Sequence, residues 1–165
     1  MKALYLSLFF AIIATLSNPA STKAQIASVK ISGEVDTPYD LTLADLKQFP
    51  QTTVMRKEKD GNEHSYTGVI LATILQKAGL ILGGDKKGHG LTRYVSVDAS
   101  DGYRVIFALV ELDKDFTDRT VILADTMDGK PLPTGDGPFR VIVQDEKKAG
   151  RCIKMVTAIN VAFAK

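Results

Sequence analysis

The last third of the chain contains the feature that most constrains its fold, a series of short turn and strand segments in a fixed order. The segments are Leu123-Ala124-Asp125, then residues 127–133, 137–143 and 150–154. We interpret them as a turn, a rigid loop bounded by prolines, a buried strand, and a strand that opens with cations. Such a run favours a pocket built from loops, suited to an anionic ligand.

The rest of the chain also predicts short strands with few helices. Alternating or continuous apolar residues predict strands at 29–35, 52–56, 63–66, 93–98, 103–108, 120–124, 140–143 and 152–161. Two short helices are predicted, at 43–49 with Thr42 as N-cap and at 69–78 with Gly79 after it. Three Asp-Gly pairs predict turns at 60–61, 101–102 and 128–129. Strands and helices do not alternate regularly, so the expected class is α+β, with a mostly antiparallel mixed sheet or barrel.

Residues 1–24 have the composition of an export signal. Lys2 supplies the positive start, residues 3–16 form an apolar stretch too short to span a bilayer, and Thr22-Lys23-Ala24 offers a cleavage site. We expect cleavage after Ala24, with Ala20 as the alternative, although an uncleaved membrane anchor is the other interpretation. The expected product is a single domain, 25–165, that is periplasmic or secreted and has no membrane anchor.

Charge and cysteine content exclude some classes of protein. The formal charge of +2 falls to about 0 when Lys2 and Lys23 are removed, so nothing favours nucleic acid as a partner. The basic runs 56–59 and 147–148 are interpreted as solvated charges of hairpins. Cys152 is the one cysteine, so no internal disulfide can form.

Three cations near the C-terminus are the candidate binding residues. Arg140, Arg151 and Lys154 could each contact a phosphate or another anion, an arginine through its planar fork and a lysine as a point charge. The alternative is that they are surface cations or, for Arg140, a brace for the loop before it. Cys152 lies between two of them and is either a buried small apolar residue or a thiolate favoured by its neighbours.

Other common catalytic arrangements are not recognisable. His64 and His89 are the only histidines and have no partners at the spacing of metal ligands. Asp101 is most simply a turn former, and nothing aims it with Asp98 at one substrate. No serine-centred glycine motif and no phosphate-binding glycine loop is present. No catalytic residue and no metal ligand is therefore assigned.

The order of these motifs resembles the molybdopterin-binding domain of the sulfite oxidase family of oxidoreductases. The resemblance covers about residues 29–163 and rests on several segments together. They are 31–35 with Pro38 and 41–46, Tyr66-Thr67-Gly68-Val69 with the helix up to Gly79, Ser100-Asp101-Gly102-Tyr103, Leu123-Ala124, Gly129-Lys130-Pro131-Leu132 and Gly137-Pro138-Phe139-Arg140.

The resemblance implies a mixed α+β fold and, in full members, molybdenum held by a pterin dithiolene and one protein thiolate. That thiolate is expected between the first helix and Tyr66, but residues 52–65 contain no cysteine. Gly135-Asp136 replaces the His-Gly that the family has before Arg140, and an acid there would repel a cofactor phosphate. Arg151 and Lys154 match cations that the family directs toward the phosphate end of the cofactor.

The sequence therefore favours an exported domain with the molybdopterin-binding fold that acts as a ligand-binding or accessory protein without intact molybdenum chemistry. Molybdopterin is a possible cofactor by resemblance only, and the ligand is expected to be a small anion or a protein partner. The alternatives are an active molybdopterin-dependent oxidoreductase with an unusual ligand set and a periplasmic protein-interaction module that uses an edge strand or the loop 82–90. A redox-sensing role for Cys152 is a further alternative.

Overall fold

The computed structural model describes residues 27–83 and 88–165, which form two five-stranded sheets, two short α-helices and short 3₁₀ turns. The predicted signal at residues 1–24 lies outside the described residues. The strands and helices are β1 Ser28–Gly33, β2 Tyr39–Thr42, α1 Leu43–Leu46, β3 Thr52–Lys57, β4 Glu63–Ile70, α2 Leu71–Lys77, β5 Arg93–Ala99, β6 Arg104–Ala108, β7 Val121–Met127, β8 Lys130–Pro131, β9 Arg140–Val143 and β10 Val156–Phe163. The 3₁₀ turns are Gly88–Thr92, Leu109–Leu112 and Ala149–Arg151.

The first sheet contains the first and last strands of the described residues and has the strand order β2-β1-β10-β5-β6. Its pairs are antiparallel except for β1 and β10, which run parallel with Ile31 opposite Ile159. The buried residues of these strands are mostly apolar and mostly alternate with more exposed ones, although β5 also buries Ser96 between two valines.

The second sheet has the order β3-β4-β7-β8, and β9 pairs with β7 as well. All of its pairs are antiparallel. The segment between the last 3₁₀ turn and β10 joins the two sheets, since the N–H of Val141 donates to Ile153 at 2.9 Å and that of Val156 to Phe139 at 3.0 Å. This junction places residues 150–155 beside the β3–β4 hairpin.

Both helices are short and pack on the shared core. Thr42 caps α1 as expected: its hydroxyl accepts from the N–H of Asp45, whose carboxylate accepts from the N–H of Thr42 at 3.0 Å. Helix α2 buries Leu71, Ile74 and Leu75. Within residues 27–83 and 88–165, no helix combines the length and the apolar character that crossing a bilayer requires.

The α+β class and the two-helix, strand-rich architecture are confirmed, as open sheets rather than a closed barrel among the described residues. The strand at 140–143 and the Asp-Gly turns are also confirmed, and Gly61, Gly102 and Gly129 all have positive φ. The second helix begins two residues later than predicted, because Val69 and Ile70 still pair with β7. Their apolar character suits a buried strand as well as a helix.

The closing strand begins at Val156, so the prediction that it starts at Cys152 is wrong. Arg151 ends a 3₁₀ turn and Lys154 lies in a bend, and the two are therefore not residues of one strand. Pairing of this segment with 139–141 replaces the expected extended strand.

Candidate ligand-binding cleft

A cleft of about 700 Å³ opens at the junction of the two sheets, and we call it the central cleft. It lies between the β3–β4 hairpin, the β5–β6 turn and the segment that leads to β10. Its lining residues combine apolar and charged side chains and include Glu58, Asp60, Tyr103, Arg140, Cys152 and Lys154. Such a concave site with a few convergent polar groups is the ordinary form of a small-molecule site.

Arg140 is the most buried cation of the central cleft, with 3% of its surface exposed. It starts β9, where pairing with Ala124 fixes its backbone. Its Nη1 donates to the Tyr66 hydroxyl at 2.8 Å and to Asp136 at 2.9 Å, and its Nη2 donates to Glu58 at 2.9 Å. The guanidinium therefore binds side chains, and through Asp136 it also braces the loop before it.

Asp136 joins two of the predicted anion contacts. One carboxylate oxygen accepts from Arg140, and the other lies 2.6 Å from the Nζ atom of Lys154. Lys154 is half-exposed, whereas Asp136 is largely buried. The acid that we expected to repel a cofactor phosphate is thus the partner of both cations.

Arg151 lies outside the lining of the central cleft and binds two other carboxylates. Its Nε donates to Glu146 at 2.8 Å and its Nη1 to Glu111 at 3.0 Å. The guanidinium also stacks on Phe107, 4.7 Å from the ring centroid. Arg119 contacts Glu111 and the neighbouring Asp145, so this cluster connects three loops.

The segment around Tyr66 shows why its sequence suits the site. A bulge in the pairing of β4 with β7 falls between Thr67 and Gly68. A side chain at Gly68 would clash with the carbonyl oxygen of Leu123, so only glycine lets the two backbones approach this closely. Tyr66 is then fully buried, and its hydroxyl donates to Glu58 at 2.9 Å. Burial raises the pKa of this phenol, which stays protonated at neutral pH.

Cys152 is a buried residue, 4% exposed, at one wall of the central cleft. Its sulfur accepts from the N–H of Val143 at 3.4 Å. Burial raises the pKa of the thiol, although that N–H and the nearby Arg56 and Arg140 act in the opposite direction. The neutral thiol matches the interpretation of a small apolar residue rather than that of a reactive thiolate.

The remaining candidates form local pairs. His64 lies between two carboxylates, with Nδ1 2.6 Å from Asp128 and Nε2 3.2 Å from Asp60. Asp98 binds Arg104, and Asp101 accepts from the N–H of Tyr103 as a turn former. Among residues 27–83 and 88–165, no group of three His, Cys, Asp or Glu side chains is arranged to hold a metal ion.

The three predicted site residues are therefore only partly brought together. Arg140 and Lys154 share the central cleft and Asp136, while Arg151 belongs to a separate cluster. Their role as anion contacts stays a prediction. The sequence patterns did not indicate their carboxylate partners, which are Glu58, Asp136, Glu111 and Glu146. Asp136 and Glu146 lie four and five positions from their arginines, whereas Glu58 lies 82 positions from Arg140 and Glu111 lies 40 positions from Arg151.

Comparison with known proteins agrees with this geometry. The fold and the central cleft define an α+β domain of the molybdopterin-binding oxidoreductase type. Residues 17–164 match the family described as the oxidoreductase molybdopterin binding domain, and the chain belongs to that family. None of the curated proteins compared with the chain matches it.

Among solved structures, the chain is similar to the sulfane dehydrogenase SoxCD from Paracoccus pantotrophus. The TM-score is 0.63 at 19% identity over 82% of this chain. The chain spans 38% of the length of that protein chain, and the likeness shows the fold. The expected resemblance to the sulfite oxidase type of domain is thereby confirmed.

Proposed function

We propose that this chain is an exported ligand-binding or accessory domain that keeps the molybdopterin-binding fold but does not hold molybdenum through a protein thiolate. The proposal rests on the atoms of this chain that could bind molybdenum. Molybdenum takes soft sulfur ligands, and the chain has one cysteine. That cysteine is buried against β9, with its thiol protonated, and does not lie on the β3–β4 hairpin.

The charges of the central cleft support the same proposal. In the hairpin that the resemblance assigns to the thiolate, the carboxylate of Glu58 binds Arg140. Asp136 occupies Lys154 as well as Arg140, so an anionic cofactor group would have to displace a carboxylate from each cation. These residues do not fit a molybdenum cofactor of the expected kind.

Elemental and pterin analysis of protein purified from its native host tests this proposal. We expect far less than one molybdenum atom per chain and no stoichiometric pterin. One bound molybdenum per chain would overturn the proposal and favour an active oxidoreductase with an unusual ligand set. Cys152→Ala should leave the metal content unchanged, and this variant therefore serves as the control for ligation by that thiol.

Export is part of the proposal and has its own test. Mass spectrometry of the protein from the exported fraction should find a chain that begins at Gln25, or at Ser21 if the alternative site is used. A protein that keeps Met1 and stays inside the cell would contradict export. Co-purification from the same fraction would identify an accessory partner if one is bound.

A third test addresses the predicted anion contacts. If these cations contact an anion, inorganic phosphate should bind less tightly to the Arg151→Ala/Lys154→Ala double variant than to the unmodified protein. Unchanged binding would show that these cations serve only to hold Glu111, Glu146 and Asp136.

A further inference from the structure

The two basic runs that the sequence presents as solvated hairpin charges meet in the fold. Strand β3 and its turn supply Lys57 and Lys59, and the loop after β9 supplies Lys147 and Lys148. Together with Arg56 and Glu58 they line a second cleft of about 360 Å³, which we call the lysine cleft. It adjoins the central cleft, because Glu58, Lys59 and Lys148 line both.

Arg56 holds the two walls of the lysine cleft together. Its side chain is 3% exposed, and its Nη1 donates to the backbone carbonyls of Val143 at 2.8 Å and Glu146 at 2.9 Å. These bonds fasten the start of the 144–148 loop to β3. The lysines are therefore presented by a fixed backbone, although their own side chains reach solvent.

No carboxylate of the described residues lies within ion-pair distance of the four lysines. Glu58 is the one acid in the lining, and it already accepts hydrogen bonds from Arg140 and Tyr66. Within the part of the chain that the structure describes, Lys57, Lys59, Lys147 and Lys148 make no ion pair. Clustered like charges around a concave surface focus a positive potential there and attract anions.

A buried donor without an acceptor is a second, independent observation. The Nε atom of Arg56 is buried and has no hydrogen-bond partner among the described residues, and the nearest carboxylate oxygen, on Glu58, is 3.7 Å away. Unpaired buried donors are rare in folded proteins, and the described residues hold two others, the Nε atoms of Arg93 and Arg140. The oxygen of a bound anion is one group that could accept from the Nε atom of Arg56.

We propose that the lysine cleft binds a small ligand that carries one or more oxyanion groups of the phosphate or sulfate kind. The volume matches a small molecule rather than a macromolecule, since ligand sites are commonly about 300–1,000 Å³. Lysines act as point charges without a fixed fork, and four of them suit a ligand with several anionic oxygens. Neither Arg151 nor Lys154 lines this cleft, and the proposal does not depend on whether molybdenum is bound.

Calorimetric titration of the purified protein with inorganic phosphate, sulfate and pyrophosphate tests the proposal. We expect saturable binding, tightest for pyrophosphate because it carries the most charge, and weaker binding as the salt concentration rises. The Lys147→Gln/Lys148→Gln variant should bind at least about tenfold more weakly, since two of the four facing charges are removed. The Lys57→Gln/Lys59→Gln variant, which removes two charges from the opposite wall, should lose a similar amount of anion affinity.

The matched control is Lys30→Gln/Lys165→Gln, which removes the same charge from exposed positions outside the lysine cleft. Its affinity for the three anions should lie within about twofold of that of the unmodified protein. Absence of saturable binding by all three anions, or equal weakening in the control and the cleft variants, would overturn the proposal. Circular dichroism of every variant establishes that each one is folded. The molybdenum assay is a separate measurement, so failure here leaves the proposed function standing.

Discussion

Glu58 lines both clefts, and the cations Arg140 and Lys154 of the central cleft differ from the four exposed lysines of the lysine cleft in what balances their charge. Arg140 and Lys154 are paired with Glu58 and Asp136 at 2.9 Å or less. The four lysines have no such partners among the described residues. A cation that the fold has already paired stabilises the domain, whereas an unpaired one remains available to a ligand.

This difference also limits what the family resemblance predicts about cofactor contacts. A motif can place a cation at the position of a cofactor contact, but the charge is available there only if no neighbouring acid takes it. In this chain Asp136 takes it. The four lysines of the lysine cleft, which no motif identifies, have no ion-pair partner among the described residues.

The strongest test of the comparison is Arg140→Ala. Removing the guanidinium leaves Glu58 and Asp136 largely buried without their main partner, and we expect a loss of about 3–5 kcal/mol in the free energy of unfolding. Urea unfolding followed by circular dichroism measures it. A loss below about 1 kcal/mol would mean that the carboxylates are solvated and that Arg140 is not held as described.

Arg151→Ala is the matched arginine variant and should cost less. Its side chain is 27% exposed, and its partners Glu111 and Glu146 also contact Arg119. We expect a loss of about 1 kcal/mol, from the ion pairs and from the stacking on Phe107. If the same urea experiment gave equal losses for both variants, burial would not be what distinguishes the two clusters.

These pairings explain how much of the fold and of the candidate site could be predicted from the sequence alone. Turns and caps depend on neighbouring residues, so the Asp-Gly turns and the Thr42 cap could be predicted. Glu58 and Arg140 lie 82 positions apart, and the order β3-β4-β7 with β9 brings them together. Local patterns carry no information on that order, which is why the cations were found and their partners were not.

The β3–β4 hairpin borders both clefts, and His64 holds its tip by contacts with two carboxylates. A rise in pH should weaken these contacts. Hydrogen bonds from the ring to Asp128 and then Asp60 raise the pKa of His64 above its ordinary value near 6.5. A raised folded-state pKa contributes stability that is complete below about pH 6.5 and is lost as the pH rises through the higher folded value.

We therefore expect the unmodified protein to lose stability relative to His64→Gln as the pH rises above 6.5. The lowered pKa values of Asp60 and Asp128 act in the acid range instead, where their stabilisation is lost as the carboxylates become protonated. Urea unfolding at several pH values measures both changes in stability, and an NMR titration of the His64 ring measures its pKa. A folded-state pKa of His64 at or below about 6.5 would contradict the contact.

The smallest expected effect belongs to the lysine cleft itself. Lys147→Gln/Lys148→Gln should change the free energy of unfolding by less than about 0.5 kcal/mol in physiological salt, since exposed lysines without ion partners contribute little to folding. Repulsion between the lysines should nevertheless be measurable in low salt. Adding salt screens that repulsion, so the unmodified protein should gain more stability from salt than the double variant does. A loss of about 2 kcal/mol in the variant would instead assign these lysines to the fold and leave both groups of cations with the same structural role.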